Sequence, residues 1–319
     1  MSSLPKLSTV VSWLLYLVPI YLFIFEPIMR QVFPDSVSIY SNDGDDFLPN
    51  DAPSGLNLDD DRFICLEDGV PFTCPDAADG YRVHLLSREP LVMYIENFLS
   101  DAEADHLVNV RYDLLALPSI YTNDSNVSPN RSADKYAPSI VTDGKDERVD
   151  SSIRLSDRAL LDRDDTVRCL EDRARAFQGW RPHLYIERMW AQRYNASGHY
   201  RHHYDWSGSW ARGGDRVSTF MVYLGADCTG GGTNFPRMSM PRGQQWCRFL
   251  ECADDDSEEK KQGITFKPIK GNAIFWENLR PDGSGYPETW HAAYPVTSGT
   301  KVGLNIWSWY QPPKRGRKG

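Results

Sequence analysis

The chain has 319 residues, with 44 acidic against 35 basic side chains and a formal charge of −9. That surplus excludes nucleic acid as a partner, because binding a polyphosphate backbone requires a basic face. Hydrophobic residues at 41% and charged residues at 25% are the proportions of an ordinary globular protein with a core of its own.

Residues 7–25 carry no charge and lie between Lys6 and Glu26. At roughly 1.5 Å per residue, a helix over this stretch nearly crosses a hydrocarbon core of about 30 Å. No small-residue cleavage site stands near Phe25, so residues 1–34 are expected to be an uncleaved signal anchor. Lys6 and the amino terminus favour a cytosolic start. The expectation is a single-pass type II protein of the endoplasmic reticulum membrane with the rest of the chain lumenal. Residues 35–62, rich in Asp, Ser, Pro and Asn, read as an acidic disordered stalk.

Residues 63–89 make a short cysteine-containing segment. Cys65 and Cys74 bracket a loop there and are expected to pair in an oxidising compartment. Cys228, Cys247 and Cys252 could supply a second bridge, leaving Cys169 in a helix. There is no Cys-x-x-Cys pair, so a structural zinc site is not expected. Asn123, Asn126, Asn130 and Asn195 each begin an Asn-x-Ser sequon, as in a lumenal glycoprotein.

The catalytic domain is placed at residues 90–311, ahead of a basic tail at 312–319. Ser100 and Glu103 form a capping box, and Ala104, Leu107 and Val108 continue at helical spacing. Residues 117–150 read as a long polar loop. Val167, Leu170, Ala174 and Phe177 predict a second helix. From Leu184 the period becomes two, predicting strands at 184–194, 218–225, 272–276 and 301–310, with an exposed acidic insertion at 251–259. Helices first and strands after indicate an α+β domain with a barrel-like β core.

His203 and Asp205 stand two residues apart, so on a strand both side chains share one face. With His291 as third ligand they form two imidazoles and a carboxylate on one face of a ferrous ion, the arrangement of non-haem iron oxygenases. Only His203, and not its neighbour His202, has the register for this with Asp205. Lys301, Gly303, Asn305 and Trp307 share a strand face. A lysine facing a cavity is costly unless it meets an anion, and the far carboxylate of a co-substrate chelating the iron would be one.

The chain resembles the prolyl 4-hydroxylase group of iron(II)/2-oxoglutarate dioxygenases from about Pro90 to Trp309. The resemblance rests on Ile95-Glu-Asn-Phe-Leu-Ser-Asp-Ala-Glu103, Arg154-Leu-Ser156, and Arg193-Tyr194 with Gly198 and Tyr200 leading into His203-Tyr-Asp205. It continues through Tyr223-Leu-Gly225, Gly231-Gly-Thr-Asn-Phe-Pro236, Gly271-Asn-Ala-Ile-Phe275, His291-Ala-Ala-Tyr-Pro-Val296 and Gly299-Thr-Lys301 to Trp307.

The resemblance implies a double-stranded β-helix, or jelly roll, supported by helices. It implies that His203, Asp205 and His291 bind Fe(2+), and that Lys301 pairs with the distal carboxylate of 2-oxoglutarate. Tyr194 and Tyr223 would hydrogen-bond this co-substrate, Trp307 would close the pocket wall, and Arg154 would meet substrate. Catalysis would then rest on His203, Asp205, His291 and Lys301, with dioxygen and 2-oxoglutarate consumed and L-ascorbate sustaining the iron. The expected substrate is a proline-rich peptide or protein. Two other readings stay open: a related oxygenase acting on another amino acid or a small molecule, and a non-catalytic binding module.

Overall fold

The architecture follows from two long strands that pair along most of their length. The computed structural model describes residues 64–65, 72–74, 80–109, 136–142, 147–252 and 262–311. The expected anchor at 7–25, the stalk, the sequons at Asn123, Asn126 and Asn130 and the basic tail lie outside these residues. Among the described residues no helix is long and apolar enough to cross a membrane.

In chain order the strands begin with β1 (Ile64–Cys65), β2 (Arg82–Arg88) and β3 (Leu91–Glu96), followed by helix α1 (Asp101–Asn109). Short strands β4 (Ala137–Pro138), β5 (Val141–Thr142), β6 (Glu147–Arg148), β7 (Arg154–Leu155) and β8 (Asp157–Leu160) precede helix α2 (Asp165–Phe177). Then come β9 (Leu184–Glu187), β10 (Trp190–Tyr194), β11 (His199–His203), β12 (Asp215–Gly230) and β13 (Thr233–Phe235). The last are β14 (Ile264–Phe266), β15 (Ala273–Glu277), β16 (His291–Ala293) and β17 (Val296–Tyr310).

Strands β2-β3-β15-β12-β17-β10-β8-β4 form the main path of a large sheet, with β9 and β1 added beside the end of β17. A smaller sheet runs β14-β13-β16-β11-β7, and β5 pairs with β6 alone. Every strand pairing among the described residues is antiparallel. Two antiparallel sheets with helices on one outer face are the arrangement expected of a jelly roll.

The period of two assigns each face of the large sheet. Phe220, Val222 and Leu224 of β12, Ala273 and Phe275 of β15, and Val302, Leu304 and Ile306 of β17 pack with Leu107 of α1 and Val167, Leu170 and Ala174 of α2. Phe220 lies within 4.7–5.4 Å of the rings of Phe98, Phe177 and Phe275. Burying such a side chain contributes about 1.5–3 kcal/mol. The alternate residues Met221, Tyr223, Ile274 and Trp276 meet Phe235, Ile264 and Phe266 of the small sheet and form the inner core.

Both predicted helices are present, and α1 begins at its expected capping box. Ser100 Oγ accepts from the Glu103 amide at 3.2 Å while the Glu103 carboxylate accepts from the Ser100 amide at 2.8 Å. Asp164 caps α2 by accepting from Val167 N at 3.0 Å, and Arg173 of α2 pairs with Glu103 of α1 at 2.6 Å.

Three readings are corrected. Cys74 pairs with Cys169, not with Cys65, and Cys169 is thereby engaged from within α2. Proximity in sequence misled here: α2 lies against the segment carrying Cys74, where Arg168 also stacks over Phe72. Cys247 and Cys252 form the second bridge, and Cys228 is free. The strand expected over 184–194 is two strands. β9 pairs with residues 308–310 of β17 and β10 with 301–305, and the break at Arg188–Met189 shifts the chain from one segment to the other. The described part of the polar loop, 136–142 and 147–150, contributes the short strands β4, β5 and β6.

Candidate metal centre

Strands β11 and β16 bring two imidazoles together, because His203 and His291 are Cα partners across the small sheet. The register shifts between Tyr200 and His203. In an unbroken strand residues three apart face opposite ways; the bulge turns both inward. Tyr200 therefore stacks on His203 at 3.8 Å between ring centroids, and both are buried.

Asp205 completes the group. Its Oδ1 lies 3.6 Å from His203 Nε2 and 3.9 Å from His291 Nε2, and the three ligand atoms lie within 4.8 Å of one another. Each imidazole is oriented by its other nitrogen. His203 Nδ1 donates to Arg201 O at 2.9 Å and His291 Nδ1 to Thr289 O at 2.8 Å. A proton on Nδ1 leaves the Nε2 lone pair aimed at Asp205.

The carboxylate is held by a relay that the sequence pattern did not reveal. Thr219 Oγ1 donates to Asp205 Oδ2 at 2.8 Å, Asn278 Nδ2 donates to Thr219 Oγ1 at 2.9 Å, and Trp276 Nε1 donates to Asn278 Oδ1 at 2.8 Å. Asp205 Oδ1, fully buried, has no hydrogen-bond donor among the described residues. The only available signal for Thr219 was a polar side chain at an inward position of an apolar strand.

Burial pushes the His203 imidazole well below its ordinary pKa, and neighbouring His291 pushes the same way. Burial also lowers His291. Burial pushes the Asp205 carboxyl upward, but His291, His203, Arg216 and the Thr219 hydroxyl together outweigh it and hold the pKa below the usual carboxylate value. Two neutral imidazoles and one charged carboxylate with an unpartnered oxygen are a donor set that fits ferrous iron. His202 is outside this group: its Nε2 meets Asn234 Oδ1 at 3.1 Å and its ring faces Trp290.

The co-substrate residues expected from sequence share the inner face of the large sheet. Lys301 is fully buried, and its Nζ donates to Gly231 O at 2.8 Å. Gly231 has φ of 70°, and a Cβ there would press on Val296 and the Lys301 stem, so glycine permits this approach. Tyr194 is the Cα partner of Lys301, and its hydroxyl donates to Gln192 Oε1 at 3.0 Å. Tyr223 also faces inward, with its hydroxyl bonded to Thr233 Oγ1 at 2.8 Å, and burial raises the pKa of both tyrosines.

Trp307 stands opposite Thr219, buried, with Arg216 stacked 3.8 Å from its ring centroid. A bidentate pair with Glu187, at 2.8 Å on both bonds, fixes Arg216 in turn. Arg154 is on strand β7 and buried, 4.6 Å over the Tyr200 ring.

Comparisons with known proteins agree with this chemistry. Residues 189–309 match the 2OG-Fe(II) oxygenase superfamily. Prolyl 4-hydroxylase 2 of Arabidopsis thaliana is 29% identical over 231 residues, covering 71% of this chain and 69% of the relative. Probable prolyl 4-hydroxylase 7 of the same plant is 30% identical over 236 residues, covering 72% and 66%. A viral collagen prolyl hydroxylase from Paramecium bursaria Chlorella virus-1, solved with 2OG, aligns at a TM-score of 0.44 and 23% identity over 69% of this chain and 96% of that one.

Proposed function

Because the chain is a prolyl 4-hydroxylase-like member of the 2OG-Fe(II) oxygenase superfamily, we propose that it hydroxylates C4 of proline in peptide segments. The reaction consumes dioxygen and 2-oxoglutarate and releases succinate and carbon dioxide. The observation that carries this reading is the buried His203–Asp205–His291 group, whose Asp205 Oδ1 has no donor and so needs a cation. Iron(II) held there would activate dioxygen, whose two oxygen atoms go to succinate and to the substrate hydroxyl.

The protein's own residues do the positioning. His203, Asp205 and His291 hold the ion, and Thr219 fixes the carboxylate by bonding its other oxygen. Lys301 meets the far carboxylate of 2-oxoglutarate, Tyr194 and Tyr223 flank it, and Trp307 closes the wall. L-ascorbate restores iron oxidised in uncoupled turnovers. A proline-rich segment suits such a site because a polyproline II strand is already stiff and loses little entropy on binding. We place the enzyme in the secretory pathway, anchored in the endoplasmic reticulum membrane through residues 7–25 with its catalytic domain lumenal. The two disulfides support this, since such bonds persist in oxidising compartments.

The test is incubation of a panel of proline-rich peptides with enzyme, iron(II), ascorbate and 2-oxoglutarate, followed by succinate assay and mass spectrometry. A gain of one oxygen on proline is expected. An unmodified panel, with another amino acid or a small molecule gaining the hydroxyl instead, overturns proline as the substrate.

A further inference from the structure

Gln192 is a buried polar residue at an inward position of β10, 3% exposed, with Trp190 and Tyr194 on the same face. Its side chain is half used. Oε1 accepts from the Tyr194 hydroxyl at 3.0 Å, while Nε2 has no acceptor among the described residues. An unmet buried donor costs about 1–3 kcal/mol, and apolar residues of similar volume carry no such cost. The neighbours define what could meet it. Gln192 is the Cα partner of Gly303, and Tyr194, two residues on, is the partner of Lys301. No side chain at Gly303 separates Gln192 from the β17 backbone. An amide donor without an acceptor and an ammonium whose protein partner, Gly231 O, carries no charge therefore share one face on adjacent strands.

We propose that Gln192 is a co-substrate-binding residue, donating its Nε2–H to a carboxylate oxygen of 2-oxoglutarate while its Oε1 holds the Tyr194 hydroxyl in place. The proposal rests on the reading of the chain as a 2-oxoglutarate-dependent enzyme. It makes Gln192 a second polar anchor beside Lys301, and it explains why a donor is left without a partner at a position where leucine or methionine would pack.

Full-length protein loaded with manganese(II), which does not turn over, allows 2-oxoglutarate affinity to be read by calorimetry apart from activity. Gln192→Met should weaken that affinity about tenfold, equivalent to about 1.4 kcal/mol. The Tm of the same variant without 2-oxoglutarate should be little changed, because loss of the unmet amide donor offsets loss of the acceptor for the Tyr194 hydroxyl. Gln192→Asn keeps the amide but shortens its reach, and it should lose affinity similarly; it serves where Gln192→Met does not fold. Affinity within twofold of wild type overturns the proposal. A Tm lowered by several degrees with affinity retained overturns it too, since Gln192 would then serve packing alone. Wild-type protein that binds no 2-oxoglutarate sinks the enzyme reading itself, a result distinct from either.

Discussion

Tyr194 and Lys301 are directly paired across β10 and β17, and Lys301 Nζ lies 4.5 Å from the centroid of the Tyr194 ring. The ring face partly offsets the cost of burying an ammonium, and Gly231 O takes one of its three protons. Neither partner is an anion. Replacing Lys301 by Met should therefore leave the fold intact, with stability equal or raised. It should raise the half-saturating 2-oxoglutarate concentration by roughly ten- to a hundredfold, the span of a hydrogen bond to a charged group. Steady-state succinate formation against 2-oxoglutarate, beside thermal unfolding, checks both halves. Unchanged dependence would place the far carboxylate elsewhere.

The same lysine sets a pH dependence. Burial lowers its pKa from 10.5 to about 8. Between pH 8 and about 10.5 the unfolded chain holds a proton that the folded one has lost, so the apo protein should gain stability as pH rises through this window. Binding of a dicarboxylate runs the other way, because it favours the charged ammonium. Above pH 8 it must take up a proton, and affinity should fall by up to about tenfold per unit. Calorimetry in two buffers of different ionisation enthalpy would detect the uptake, and Lys301→Met should abolish it.

At the metal centre, His203→Ala, Asp205→Ala and His291→Ala should each abolish iron-dependent turnover, whereas His202→Ala should retain most of it. Thr219→Val is the finer probe. It removes the donor to Asp205 Oδ2 at nearly constant volume and leaves Asn278 Nδ2 without its acceptor. Loss of such a supporting bond should weaken metal affinity about 10- to 100-fold with little change in the co-substrate requirement. Metal competition with a chelator, read separately from activity, checks this.

The grouping of the triad was legible from the short spacing of His203 and Asp205, although β11 ends at His203 and Asp205 reaches the site from the bend that follows. Lys301 through Trp307, by contrast, do alternate on one strand, β17. The start of α1 was legible because a capping box is local chemistry. The supporting relay was not legible. Thr219, Asn278 and Trp276 meet through the pairing of β12 with β15, and nothing local in the chain marks a threonine that will lie beside Asp205. Cys74–Cys169 was missed likewise, because its partners are 95 residues apart and only the packing of α2 unites them.

That separation carries a prediction of its own. Cross-linking a loop of this length restricts the unfolded chain far more than does Cys247–Cys252, whose partners are five residues apart. Cys74→Ser should lower unfolding free energy by about 2–4 kcal/mol, and Cys247→Ser by less. Urea midpoints measured with and without reductant test the order. A larger loss from Cys247→Ser would mean that its turn, where Lys267 Nζ donates to Cys247 O at 2.6 Å, matters more than loop entropy.

The last prediction concerns Glu187, which should matter to the metal centre through Arg216. Its carboxylate grips Arg216 through two bonds of 2.8 Å, both side chains are buried, and Arg216 lies over Trp307 and donates to Asp205 O at 3.4 Å. The guanidinium thus links the wall formed by Trp307 to the backbone of a triad residue. Removing one partner of a buried pair leaves the other charge uncompensated, typically at about 3–5 kcal/mol. Glu187→Ala should show that loss in unfolding, together with weaker metal retention as Arg216 shifts. Glu187→Gln keeps the shape and can accept one of the two bonds through its amide oxygen, so it should restore metal retention to within a fewfold while recovering only part of the stability. If Glu187→Ala unfolds too readily to be loaded with metal, the comparison of Glu187→Gln with wild type still decides the matter. Metal affinity that tracks stability in strict proportion across the variants would make Glu187 a fold element alone. Retention restored ahead of stability would make the Glu187–Arg216 pair the support that keeps Trp307 and Asp205 in register.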